Sequence, residues 1–96
     1  MHRIYKRNEY VLYKCGSGGY IVQNILMNGF AHTHLKSKDM AFRIIGLSIS
    51  KKLPNDLSEY MLISLLRVNK DCTYCRKIKT RIGNKRIKDE YVNCRR

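Results

Sequence analysis

The stretch from Leu57 to Val68 constrains the fold more than any other part of this chain. Leu57, Tyr60, Met61, Ser64, Leu65 and Val68 recur at i, i+3, i+4, i+7, i+8 and i+11, the spacing that puts side chains on one side of an α-helix. Leu62, Ile63 and Leu66 widen the stripe, so most of this helix must be covered by other elements. Burying one of its Leu or Ile side chains contributes about 1.5–3 kcal/mol. The helix is predicted to start near Asn55-Asp56 or at Ser58 and to form the centre of the core. A chain of 96 residues has room for one such core and no second domain.

The partners of that helix are predicted from local chemistry. Residues 9–14 (EYVLYK) and 20–26 (YIVQNIL) are rich in β-branched and aromatic residues, as strands prefer. Between them lies Cys15-Gly16-Ser17-Gly18-Gly19, where glycine permits a tight reversal. A β-hairpin follows, and a hairpin needs something to pack on. Asn28-Gly29 is a turn signal. Phe30-Ala31-His32-Thr33-His34-Leu35 reads as a short extended or loop segment. Ser37 can cap a helix from Lys38 to Lys51, with Asp39 in its first turn. Met40, Ala41, Ile44, Ile45, Ser48 and Ile49 form its apolar face, Lys51 and Lys52 sit at its negative end, and Pro54 stops it. Asp71 can cap a third helix of residues 72–82 with Tyr74, Cys75, Ile78 and Ile82 on one face, and Gly83-Asn84 supplies a left-handed stop. The expected order is β-β-α-α-α, an α+β fold in which an N-terminal hairpin packs against three helices. The domain is expected to span residues 1–84, with residues 85–96 as a fourth short element or a loose basic tail.

Composition excludes several classes. At 44% hydrophobic and 28% charged, the chain is too apolar for wholesale disorder. Its charges interrupt every apolar run well before the roughly 20 residues that span a bilayer. The N-terminal MHRIYKRNEY lacks the apolar segment of a secretory signal. A cytoplasmic, reduced protein with no membrane contact is the expectation.

Charge is the loudest chemical feature. Twenty Lys and Arg against seven Asp and Glu give +13, and residues 70–96 alone hold ten basic and three acidic residues. Such an imbalance repels itself unless an anionic partner offsets it. Arg76, Lys77, Lys79, Arg81, Lys85, Arg86 and Lys88 are the candidate contacts to phosphates. Lys51, Lys52, Arg3, Lys6 and Arg7 would extend the footprint, and Tyr74 and Tyr91 are aromatics able to stack on bases. The competing readings are a solvated helix face that keeps a small protein soluble, or cations that grip an acidic host protein.

His32-Thr33-His34 is the second feature. Side chains at i and i+2 of an extended segment point the same way, so both imidazoles could bind one metal or act as acid and base on a phosphodiester, with Arg67 as an anion contact. Two histidines fall short of the three or four protein ligands zinc takes, and Asp39 is the nearest carboxylate. Hydrogen-bonded histidines at a loop–helix junction are the plainer reading. Cys72-Thr73-Tyr74-Cys75 is a C-x-x-C at a helix N-terminus, where thiol pKa falls. It could be a redox pair, although no thioredoxin-like βαβ pattern surrounds it. It could instead hold zinc with His32 and His34, or with Cys15 and Cys94. Cys75 also fits the apolar face as ordinary core filling. Ser64 is expected to bond the carbonyl one turn back, and Arg67 to pair with Glu59 or Asp71. Gly16-Ser17-Gly18-Gly19 lacks the lysine of a phosphate-binding loop and reads as a turn.

Ile21-Val22-x-Asn24, Gly29-x-x-His32-Thr33-His34, Pro54-x-x-Leu57-Ser58-x-Tyr60, Ser64-Leu65-x-Arg67-Val68 and Asp71-x-x-Tyr74 together resemble a family of short proteins of Firmicute bacteria and their phages or prophages. The resemblance covers roughly residues 20–78. It implies a small cytoplasmic accessory protein and assigns no activity or catalytic residue. The resulting expectation is a non-enzymatic binding protein that engages nucleic acid. The alternatives are an inhibitor or adaptor bound to an acidic host protein, and a small phosphodiesterase built on His32 and His34.

Overall fold

The computed structural model describes residues 2–29 and 31–94, and the side chains of residues up to 86. The chain runs β1 (His2–Arg7), β2 (Tyr10–Lys14), β3 (Tyr20–Asn24), β4 (His32–Leu35), α1 (Lys38–Ser50), α2 (Glu59–Arg67) and α3 (Cys72–Cys94). The α+β class is as expected, and the expected hairpin is β2–β3. It forms the middle of a larger sheet, an antiparallel meander in the order β1-β2-β3-β4. Two strands are added to the expected hairpin. β1 is the basic N-terminal segment HRIYKR, turned back through Asn8, a non-glycine residue that tolerates its left-handed φ of 54°. β4 is the HTHL segment, entered after Gly29 at φ 73°.

Strand register sorts the side chains onto two faces. Leu12, Val22 and Thr33 stand opposite one another across β2, β3 and β4, as do Lys14, Tyr20 and Leu35. This inner face carries Tyr10, Leu12, Val22 and Leu35 into one core with Ala41, Ile44 and Ile45 of α1, Leu62 and Leu65 of α2, and Tyr74, Ile78 and Ile82 of α3. Leu62 and Leu65 are fully buried, as the stripe from Leu57 to Val68 predicts. The helices therefore cover one face of the sheet.

Helix starts follow local capping chemistry. The Ser37 hydroxyl accepts from the Met40 amide, and the Ser58 hydroxyl from the Met61 amide, each at 3.2 Å. The Asp71 carboxylate accepts from the Tyr74 amide at 2.8 Å. Asp56 pairs with Arg43 at 2.7 Å instead of opening α2. The helix ends differ from expectation. α1 stops at Ser50 because Lys51 itself takes a left-handed φ of 58°, ahead of Pro54. α3 does not stop at Gly83-Asn84 but continues to Cys94, so residues 85–94 prolong that helix and form no separate fourth element. A helical glycine weakens a helix by only about 1 kcal/mol. Arg86 beyond it pairs with Glu59 of α2, and Arg81 before it donates to the Pro54 carbonyl at 2.9 Å. No helix among the described residues is long and apolar enough to cross a membrane.

Two polar devices are buried inside this frame. The Thr33 hydroxyl donates to the Ser64 hydroxyl at 2.9 Å, both side chains being fully enclosed. This pins β4 to α2, with the Ser64 oxygen as acceptor; among the described hydrogen bonds none runs from Ser64 to the carbonyl one turn back. Thr33→Val is expected to leave the Ser64 hydroxyl unpaired and to lower stability by about 1–3 kcal/mol. Thr33→Val/Ser64→Ala should recover part of that loss in urea titration. The second device centres on Asn69. Its amide nitrogen donates to the Ser48 hydroxyl at 2.9 Å and to the Leu65 carbonyl at 2.8 Å. Its side-chain oxygen accepts from the Tyr10 hydroxyl at 3.0 Å and from the Lys51 ammonium at 3.1 Å. β2, α1 and α2 meet there, and the Cys75 thiol of α3 bonds the Asn69 carbonyl at 3.1 Å.

Candidate nucleic-acid interface

α3 carries the candidate cations because its apolar residues recur at Tyr74, Ile78 and Ile82, which leaves the intervening positions outside. Arg76, Lys77 and Lys79 are exposed. At helical spacing Arg76 tops the outer ridge and Lys77 and Lys79 flank it. The flanks border two hollows. Lys51, Leu53, Arg76, Lys77, Thr80, Arg81 and Asn84 line one of about 550 Å³. Lys70, Arg76 and Lys79, with Leu66, Asn69, Cys72 and Cys75, line the other, about 660 Å³. Arg76, on the ridge between them, lines both.

The members of this surface differ in freedom. Lys51 is drawn inward by Asn69 and lies 5.3 Å over the Tyr74 ring, a cation–π contact. Arg81 holds the Leu53 and Pro54 carbonyls, and Arg86 is paired with Glu59. These two candidate phosphate contacts therefore brace the helix. Tyr74 is buried, its hydroxyl donating to the Lys52 carbonyl at 2.7 Å, so it is no base-stacking platform. Lys52 is exposed and Lys85 half-buried. Lys88, Tyr91 and Cys94 have side chains outside those described. Lys70, Arg76, Lys77 and Lys79 have no ion-pair partner among the described residues. Asp71, the carboxylate nearest them in sequence, is committed to its cap.

The other candidate residues are dispersed. His32 and His34 project from the sheet face opposite the helices, their ring centroids 5.3 Å apart, while Thr33 between them points inward. Cys72 and Cys75 stand at the start of α3 and Cys15 in the β2–β3 loop. No group of three or more His, Cys, Asp or Glu side chains gathers among the described residues, so the proposed zinc sets do not assemble there. Burial pushes the Cys75 thiol pKa up, against the lowering expected at a helix N-terminus. That opposes a reactive thiolate at Cys75. Arg67 is exposed on α2 and makes neither expected pair, because Glu59 is held by Arg86 and Asp71 by the α3 cap. Among the described residues no hydrogen bond joins it to either histidine. Arg3 and Lys6 lie in β1 and do not extend the α3 surface.

Most residues of the pattern that carries the family resemblance hold the fold. Asn24 donates to the Val68 carbonyl at 2.8 Å, Thr33 meets Ser64, the Tyr60 hydroxyl donates to the His34 carbonyl, and Ser58 and Asp71 are caps. The chain matches no protein family, no curated protein and no solved structure.

Proposed function

We propose that this is a small binding protein that engages nucleic acid through the first three turns of α3, as an accessory factor of the phage or prophage type. The observation that supports this reading is the grouping of Lys70, Arg76, Lys77 and Lys79, none with an ion-pair partner among the described residues, around two hollows that share Arg76, one of them also lined by Lys51. A polyanion meeting that surface would relieve the repulsion within a chain of net charge +13 and release counterions from the phosphates it neutralises. No catalytic group is required.

Arg76→Ala/Lys77→Ala/Lys79→Ala tests the reading without touching the core. Binding to a short DNA duplex is expected to fall at least about tenfold, uniformly across sequences. The slope of log affinity against log salt should shrink by about one unit for each phosphate no longer neutralised. Wild-type affinity no better than that of a scrambled peptide of equal charge would overturn the proposal, as would an unchanged slope in the triple variant.

A further inference from the structure

The sheet face turned away from the helices has its own composition. Strand register lays its side chains in two rows that each cross all four strands. One row is Arg3, Tyr13, Ile21 and His34, and the other is Lys6, Val11, Gln23 and His32. Strand spacing and rise make this array about 14 Å by 7 Å. Each row begins in a cation and ends in an imidazole, and none of the eight positions carries a carboxylate. Val11 and Ile21 are 2% and 8% exposed, although both lie outside the core cluster that the helices cover. By register they lie between the exposed side chains of the outer strands, Arg3 and Lys6 on β1 and His32 and His34 on β4, as an apolar floor. Tyr13 is half-buried on that floor, between Arg3 on β1 and Ile21 on β3. Exposed His32 and His34 stand edge to face at the β4 side.

We propose that this sheet face binds single-stranded nucleic acid, with bases stacked on Tyr13 and the His32–His34 pair and phosphates held by Arg3 and Lys6. Charge complementarity selects an anion. The flat aromatic and imidazole surfaces select one with unpaired bases, because a duplex keeps its base faces stacked on each other. Sheet-based RNA-binding folds use aromatic side chains of a four-stranded sheet in the same way, a parallel of architecture and not of sequence. The site is separate from the α3 surface, since the helices pack on the other face of the sheet, and it stands whether or not α3 binds duplex.

The test uses the full chain and a fluorescent oligothymidylate or oligouridylate of about ten nucleotides. Tyr13→Leu keeps apolar cover over the floor but removes the ring, and is expected to weaken binding by about 5- to 100-fold. Tyr13→Phe should restore it. His32→Thr/His34→Thr, at exposed positions that leave the core intact, should also weaken binding. Arg3→Gln/Lys6→Gln should lower the salt slope by about 1.4 units, the single-strand value for two phosphates. Duplex affinity should be unchanged in the Tyr13 and histidine variants. Wild-type binding to neither oligonucleotide overturns the proposal, and so does unaltered single-strand affinity in the histidine variant. Self-association through this face without oligonucleotide binding overturns it too.

Discussion

Stability is expected to fall steeply as the pH rises from 10 toward 12, because burial pushes both Tyr10 and Tyr74 from their ordinary 10.0 up to about 12. Tyr10 is also held up by the charge of Glu9, and Tyr74 by that of Tyr10. The sign follows from proton counting. In that window an unfolded chain has released these protons while the folded chain still holds them, so rising pH favours unfolding. The stabilisation is fully present below the unfolded pKa and is lost as pH passes through the folded one. Each tyrosine accounts for up to about 2–3 kcal/mol, a large part of the roughly 5–15 kcal/mol that holds a small domain together. Urea midpoints measured across the window should drop, and Tyr10→Phe should remove about half of the drop. A flat profile would mean that neither hydroxyl is enclosed.

Asn69→Ala is expected to be the most damaging single truncation of a polar side chain. It removes the acceptor of the Tyr10 hydroxyl and the donor to both Ser48 and the Leu65 carbonyl. An unpaired buried group costs about 1–3 kcal/mol, and several are created together, so a loss of about 3 kcal/mol is expected in urea titration. Tyr10→Phe should add less to Asn69→Ala than to the wild type, since the two side chains share one bond and couple by about 0.5–3 kcal/mol. A loss below about 1 kcal/mol, or strict additivity, would show that the junction does not depend on this amide.

Asn69 also marks the limit of what sequence can reveal. Read along the chain, Asn69-Lys70-Asp71 is simply where a helical pattern breaks. Nothing local signals that the amide is 3% exposed or that its partner stands 59 positions earlier. By contrast, Ser37, Ser58 and Asp71 are legible because a cap is chemistry between neighbours. The stripe of α2 is legible because a covered helix has one dominant period. β1 is hidden because its basic residues resemble a solvated N-terminal extension, and only pairing with β2 makes them a strand. In β4, alternation puts Thr33 and Leu35 inside and the two histidines outside, but four residues are too few to separate strand from loop. For the site, the clustering of cations in α3 is visible in the sequence. The diversion of Arg81 and Arg86 into bracing is not, because their partners lie 27 positions away.

The meander order of the sheet has a kinetic consequence. Every strand pairs with its immediate neighbour in sequence, so each loop closed during assembly is short and the pairings have low contact order. The bonds that join the sheet to the helices reach much further, 31 positions for Thr33 and Ser64 and 59 for Tyr10 and Asn69. Loop-closure entropy favours forming those contacts late, so Thr33→Val and Asn69→Ala are expected to raise the unfolding rate more than they lower the folding rate in a chevron measurement. The buried polar junction then serves as a latch on lifetime more than as a guide to assembly.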